Sequence, residues 1–128
     1  MKILIIDDEV DVAGLLARAV EEQGHETSLV YDGETALSRL KDVQPDAVFL
    51  DVRLPGLSGI EVLRKIRAVD PDLPVILITG HALSQELEEA RRLNVTDIVE
   101  KLYVLSHLTE ALGRFNADPR DQSTDDPS

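Results

Sequence analysis

Residues 2–30 read KILIIDDEVDVAGLLARAVEEQGHETSLV, and this stretch decides the fold. Ile3-Leu4-Ile5-Ile6 is an unbroken apolar run rich in β-branched residues, the composition of a strand covered on both faces. It stops abruptly at Asp7, Asp8 and Glu9. Val12, Leu15, Leu16, Ala19 and Val20 then recur at helical spacing, and Gly24 stands where a helix C-terminal cap belongs. Thr27 to Tyr31 reads as a second, edge-like strand. Strand, helix and strand in immediate succession make a βαβ unit, whose strands lie parallel and whose crossover is right-handed.

The same alternation runs on. Asp32-Gly33 opens a short helix carrying Ala36, Leu37 and Leu40, and Ala47 to Leu50 is a third strand ending at Asp51. Beyond Pro55-Gly56, Ser58 and Glu61 have capping-box spacing ahead of Ile60, Leu63 and Ile66. Pro71 and Pro74 close that connection, and Val75 to Ile78 forms strand four. Leu83, Leu87 and Ala90 mark helix four, and Val95 to Val99 strand five. Leu108, Ala111, Leu112 and Phe115 give the last helix its buried stripe, with Ser106 as N-cap. The expected fold is α/β: a (βα)5, doubly wound, flavodoxin-like parallel sheet of five strands with helices on both faces. Residues 1–115 form the domain. The Asp-, Pro-, Ser- and Thr-rich segment Asn116 to Ser128 reads as an acidic, disordered tail.

Composition narrows the function. With 128 residues the chain is one domain, and with no cysteine it has no disulfide, thiol nucleophile or cysteine-ligated metal. No apolar run approaches the ~18 residues of a membrane span, and the apolar stretch after Met1-Lys2 is too short for a signal peptide, so the expected location is cytoplasmic. A net charge of −12 argues against direct binding to nucleic acid or an anionic membrane.

In open α/β sheets the site lies beyond the carboxyl ends of the strands. Asp7-Asp8 ends strand one, Asp51 strand three and Thr79 strand four, and Lys101 follows strand five. Three carboxylates at one edge repel one another unless a cation sits among them, and oxygen-only ligands suit Mg²⁺, with Mn²⁺ as a substitute. A carboxylate flanked by such a cation and by the Lys101 ammonium can attack phosphorus, and Thr79 offers a hydroxyl to the transferred group. Any one of these residues alone is more often a turn former, a strand former or a solvated charge. Their conjunction at one edge is what points to chemistry.

The strings Ile5-Ile6-Asp7-Asp8-Glu9, Leu50 to Gly59, Ile78-Thr79-Gly80-His81 and Glu100-Lys101 closely resemble the receiver domains of bacterial two-component response regulators. The middle strings look most like receivers of nitrogen-regulation and dicarboxylate-transport regulators. The resemblance implies strand order 2-1-3-4-5 and a histidine kinase or phosphotransfer protein that phosphorylates Asp51. It implies Mg²⁺ held directly by Asp8, largely through water by Asp7, by Asp51 and by the Arg53 backbone carbonyl. Thr79 would be the hydroxyl switch, Lys101 the counter-charge and Gly80 a phosphoryl-facing amide. Arg53 and His81 would overhang the phosphoryl group. The module would signal by protein–protein contact rather than act as a turnover enzyme, with a downstream protein docking at the helix-four face.

Four positions depart from that pattern. Asn94 replaces the usual glycine seven before the lysine, tolerable because asparagine enters the left-handed region more readily than most residues, and Val95 stands where a smaller alanine is usual. Leu102 replaces the proline that usually follows the lysine, so the Lys101–Leu102 bond is expected to be trans and the loop to Ser106 to run differently. Ile98 stands where an aromatic ring usually reports activation, so the signal should leave through the loop after Thr79 and through helix four. The rival reading is a pseudo-receiver that binds partners without being phosphorylated. An aspartyl phosphatase of the haloacid-dehalogenase type is excluded by Val52-Arg53 after Asp51, where a second Asp would be needed. A flavin carrier is a weaker rival still, since the acidic first loop lacks the Ser, Thr and Gly composition that would cradle a phosphate.

Overall fold

The computed structural model describes residues 1–80 and 82–116. Five strands, β1 (Lys2–Ile6), β2 (Glu26–Val30), β3 (Ala47–Asp51), β4 (Val75–Thr79) and β5 (Asp97–Glu100), form one parallel sheet in the order β2-β1-β3-β4-β5. Between them run α1 (Val10–Glu22), α2 (Gly33–Val43), α3 (Gly59–Val69) and α4 (Ser84–Arg92), and after β5 come α5 (Lys101–Ser106) and α6 (Leu108–Asn116). Order and class are those expected.

Strand side chains alternate between two cores. Ile3, Ile5, Phe49, Ile76 and Ile78 meet α1, α5 and α6 through Leu16, Val20, Val104 and Phe115. Leu4, Ile6, Leu50 and Leu77 meet α2 to α4 through Ala36, Leu63, Ile66 and Ala90. The rings of Phe49 and Phe115 pack edge to face, 5.1 Å between centroids. No helix among the described residues is long and apolar enough to cross a membrane.

Local signals work as read. The Asp32 side chain accepts from Thr35 N–H at 2.7 Å and starts α2. Ser58 and Glu61 exchange hydrogen bonds of 2.9 and 3.2 Å across the first turn of α3. Gly24 and Asn94 take positive φ, +93° and +57°, just past the ends of α1 and α4.

Several expectations need correction. Leu15 is 57% exposed, and the buried face of α1 is instead Ala13, Leu16, Ala17 and Val20. Leu83 is likewise exposed, so α4 buries only Ala90 completely. The expected loop from Lys101 to Ser106 is helical, since nothing in KLYVLS breaks a helix. Ser106 therefore ends α5, its hydroxyl donating to the Tyr103 carbonyl at 3.3 Å, and His107 precedes α6. No peptide bond among the described residues is cis, as expected at Leu102. Of the expected tail, Asn116 ends α6, whereas 117–128, like His81, lie outside the described residues.

Candidate phosphoacceptor site

Strand register builds the site. β1 and β3 are neighbours, so Asp7, one residue beyond Ile6, and Asp51, one beyond Leu50, end side by side. β4 pairs with β3 and β5 with β4, which puts Thr79 and Glu100 opposite each other at the same edge and Lys101 just past it. One oxygen from each of Asp7, Asp8 and Asp51 can lie within 4.8 Å of the others.

The three carboxylates differ in environment. Asp7 is wholly buried and Asp51 1% exposed, whereas Asp8 is exposed. Asp7 Oδ1 accepts from Glu9 N–H at 2.9 Å and from Lys101 Nζ at 3.3 Å. Its Oδ2 is buried with no hydrogen-bond partner among the described residues. Burial raises the Asp7 pKa to about 6; the Asp51 charge adds to the rise, while the Glu9 amide and Lys101 oppose it. A buried carboxylate oxygen lacking a donor, beside two more carboxylates, fits a hard divalent cation.

Lys101 brings a positive charge to this carboxylate cluster. Its ammonium lies 2.8 Å from Asp51 Oδ2 and also pairs with Asp7 and Glu9. Burial works against that charge, but hydrogen bonds to Asp51 and Glu9, with the charges of Asp51 and Asp7, outweigh it and hold the proton far above the ordinary lysine range. With leucine rather than proline at 102, the lysine still reaches the Asp51 carboxylate.

Arg53 serves two places. Its backbone N–H donates to Asp51 Oδ1 at 3.2 Å, while its guanidinium pairs with Glu86 of α4 at 2.9 Å. The side chain expected to overhang Asp51 is engaged elsewhere in this state. Gly80 leaves open the space a Cβ would fill. Ile98 is partly buried against the α2–α4 core, as an apolar residue there should be.

Two contributors carried no assigned role in the sequence reading. Glu9, at the N-cap of α1, shares Lys101 with Asp51. Gly59 opens α3 directly against β3: its N–H donates to the Val52 carbonyl at 2.8 Å, and a Cβ there would stand 2.7 Å from Val52 Cα and closer still to the Asp51 carbonyl oxygen. A glycine in the first turn behind a capping serine was the available signal for that close approach.

A parallel 2-1-3-4-5 sheet with an acidic cluster and a lysine at its carboxyl edge defines a class, and comparison agrees: the response regulator receiver domain family matches residues 3–113, and the chain belongs to that family. Its relatives include the nitrogen-regulation type expected. It is 39% identical over 107 residues to Regulatory protein AtoC of Escherichia coli (strain K12), covering 84% of this chain and 23% of that protein. It is 36% identical over 101 residues to Nitrogen assimilation regulatory protein NtrX of Azorhizobium caulinodans, covering 77% and 22%. The chain therefore spans less than a quarter of either relative. Among solved structures, the receiver domain of NtrX from Brucella abortus matches with TM-score 0.81 at 34% identity, covering 95% of this chain and 99% of that one.

Proposed function

We propose that this receiver domain is a phosphorylation-dependent switch whose acceptor is Asp51, phosphorylated by a histidine kinase or phosphotransfer protein. The observation that carries the reading is the Lys101 ammonium, brought from the far end of the sheet to 2.8 Å from the buried Asp51 carboxylate. A carboxylate oxygen of Asp51 forms a bond to phosphorus as the bond from phosphorus to the donor breaks. The electron pair leaves with the donor, which is the imidazole nitrogen of a phosphohistidine or the acetate of acetyl phosphate. In this reading Lys101 neutralises charge on the transferring group from one side, and the Thr79 hydroxyl and Gly80 amide donate hydrogen bonds to its oxygens. Asp7, Asp8, Asp51 and the Arg53 carbonyl would hold Mg²⁺, or Mn²⁺ in its place, which when bound neutralises charge from the other side.

The domain has no turnover substrate in this reading. Its product is its own altered conformation, a shift between two states read by a downstream protein at α4. Intact mass after incubation with acetyl phosphate and Mg²⁺ tests it. Wild type should gain one hydroxylamine-labile phosphoryl group and Asp51→Asn none. No adduct on wild type, or the same adduct on Asp51→Asn, overturns the assignment.

A further inference from the structure

Helix α4 is attached to the domain in an unusual way. Only Ala90 is buried, whereas α3 buries Gly59, Ile60, Val62, Leu63 and Ile66. In place of an apolar stripe, arginines from the α3 side reach across the seam along its length. At the far end Arg67 Nε donates to the Leu93 carbonyl at 2.6 Å and Nη2 to the Asn94 carbonyl at 3.1 Å. In the middle Arg64 makes two hydrogen bonds to Glu89 Oε2, at 2.9 and 2.7 Å. At the near end Arg53 Nη1 donates to Glu86 Oε2 at 2.9 Å.

The near-end pair differs from the others in what else its partners touch. Glu86 Oε1 accepts from Leu83 N–H at 2.9 Å, so the same carboxylate closes the first turn of α4. The Arg53 backbone N–H is bonded to Asp51 Oδ1, so its side chain departs from beside the phosphoacceptor. One ion pair therefore joins the acceptor's neighbour to the start of α4. It is also a weak pair, since the Arg53 side chain is 51% exposed and ion pairs in water contribute little.

We infer that Arg53 and Glu86 form a latch that phosphorylation opens. This rests on Asp51 being the phosphoacceptor. A phosphoryl group brings up to two negative charges and three acceptor oxygens, and guanidinium binds such a group bidentately. Rotation about its own side-chain bonds carries the Arg53 guanidinium from Glu86 to that group. Glu86 then loses its cross-seam partner and the first turn of α4 comes free, while Arg64 and Arg67 keep the far end seated. Arg53 is thus a positioning residue: it acts on α4 through Glu86 and has differential partners in the two states, which a switch requires.

Amide hydrogen exchange on wild type and Arg53→Met, each with and without acetyl phosphate and Mg²⁺, tests this, with intact mass recorded on the same samples. Arg53→Met leaves the Glu86–Leu83 cap in place. Without phosphorylation it should speed exchange in the first turn of α4 by up to ~5-fold, the worth of one exposed ion pair. Phosphorylated wild type should reach that faster rate, and phosphorylated Arg53→Met should gain no more. Equal exchange of the two unphosphorylated proteins overturns the latch. Adducts on both proteins with the same phosphorylation-driven rise in α4 overturn the release. A wild type without adduct overturns the phosphoacceptor reading, and the release with it, leaving the latch to the unphosphorylated pair.

Discussion

Replacing Asp7 by asparagine should stabilise the metal-free protein at neutral pH, although it removes a group that pairs with Lys101. Asp7 is wholly buried, one of its oxygens has no hydrogen-bond partner among the described residues, and its pKa rises from 3.8 to about 6. Burial is the largest cause and the Asp51 charge adds to it; the Glu9 amide and the Lys101 ammonium, which lies nearer Asp51, offset only part. At 1.36 kcal/mol per pKa unit the rise is worth about 3 kcal/mol. The sign follows from proton linkage. The folded state binds this proton more tightly than the unfolded chain, so stability falls as pH rises from about 4 through about 6 and stays low above. Asp7→Asn escapes that loss. Urea denaturation without divalent cation should find it more stable than wild type by up to about 3 kcal/mol at pH 7.5, with little difference near pH 4. Adding Mg²⁺ should stabilise wild type more than the variant and narrow the gap, because ligand binding to the folded state adds to stability. A variant no more stable than wild type at pH 7.5, or an advantage that does not shrink on acidification, would refute the reasoning.

Three further outcomes are expected. Gly59→Ala drives a methyl group into the Asp51–Val52 backbone, so it should cost ~2–4 kcal/mol in urea denaturation and slow phosphorylation by acetyl phosphate, whereas Gly80→Ala, which meets open space, should fold with nearly wild-type stability. Glu9→Gln removes a competing anion from Lys101 and a like charge from the path of an anionic donor; intact-mass time courses should show phosphorylation several-fold faster, and an unchanged or slower rate would contradict the sharing of Lys101. Ser58→Ala removes the capping acceptor for Glu61 N–H and should lower stability by about 1 kcal/mol with no change in the pH dependence described for Asp7.

Much of this protein is legible in the chain because the relevant signals are local. An apolar run, a helical stripe and a capping residue each act within a few positions, which is why the five strands, the Ser58–Glu61 box, the Asp32 cap and the left-handed Asn94 could be read directly. Acidic residues at strand ends could likewise be placed at one edge, because parallel strands joined by right-handed crossovers leave no other arrangement. What the alternation could not convey is which member of an adjacent pair points inward. Asp7 and Asp8 are equivalent in the sequence, yet packing buries one and exposes the other, and so decides which carboxylate carries the raised pKa. The same holds for α1, where Leu15 faces solvent and two alanines face the sheet, since small side chains are what a close helix–sheet approach admits. Partnerships across long sequence separations were decided only by the tertiary structure. Lys101 shared among Asp7, Glu9 and Asp51, and Arg53 tied to Glu86, depend on ångström-scale distances between side chains whose elements are fixed by packing, and no periodicity in the chain encodes such a distance.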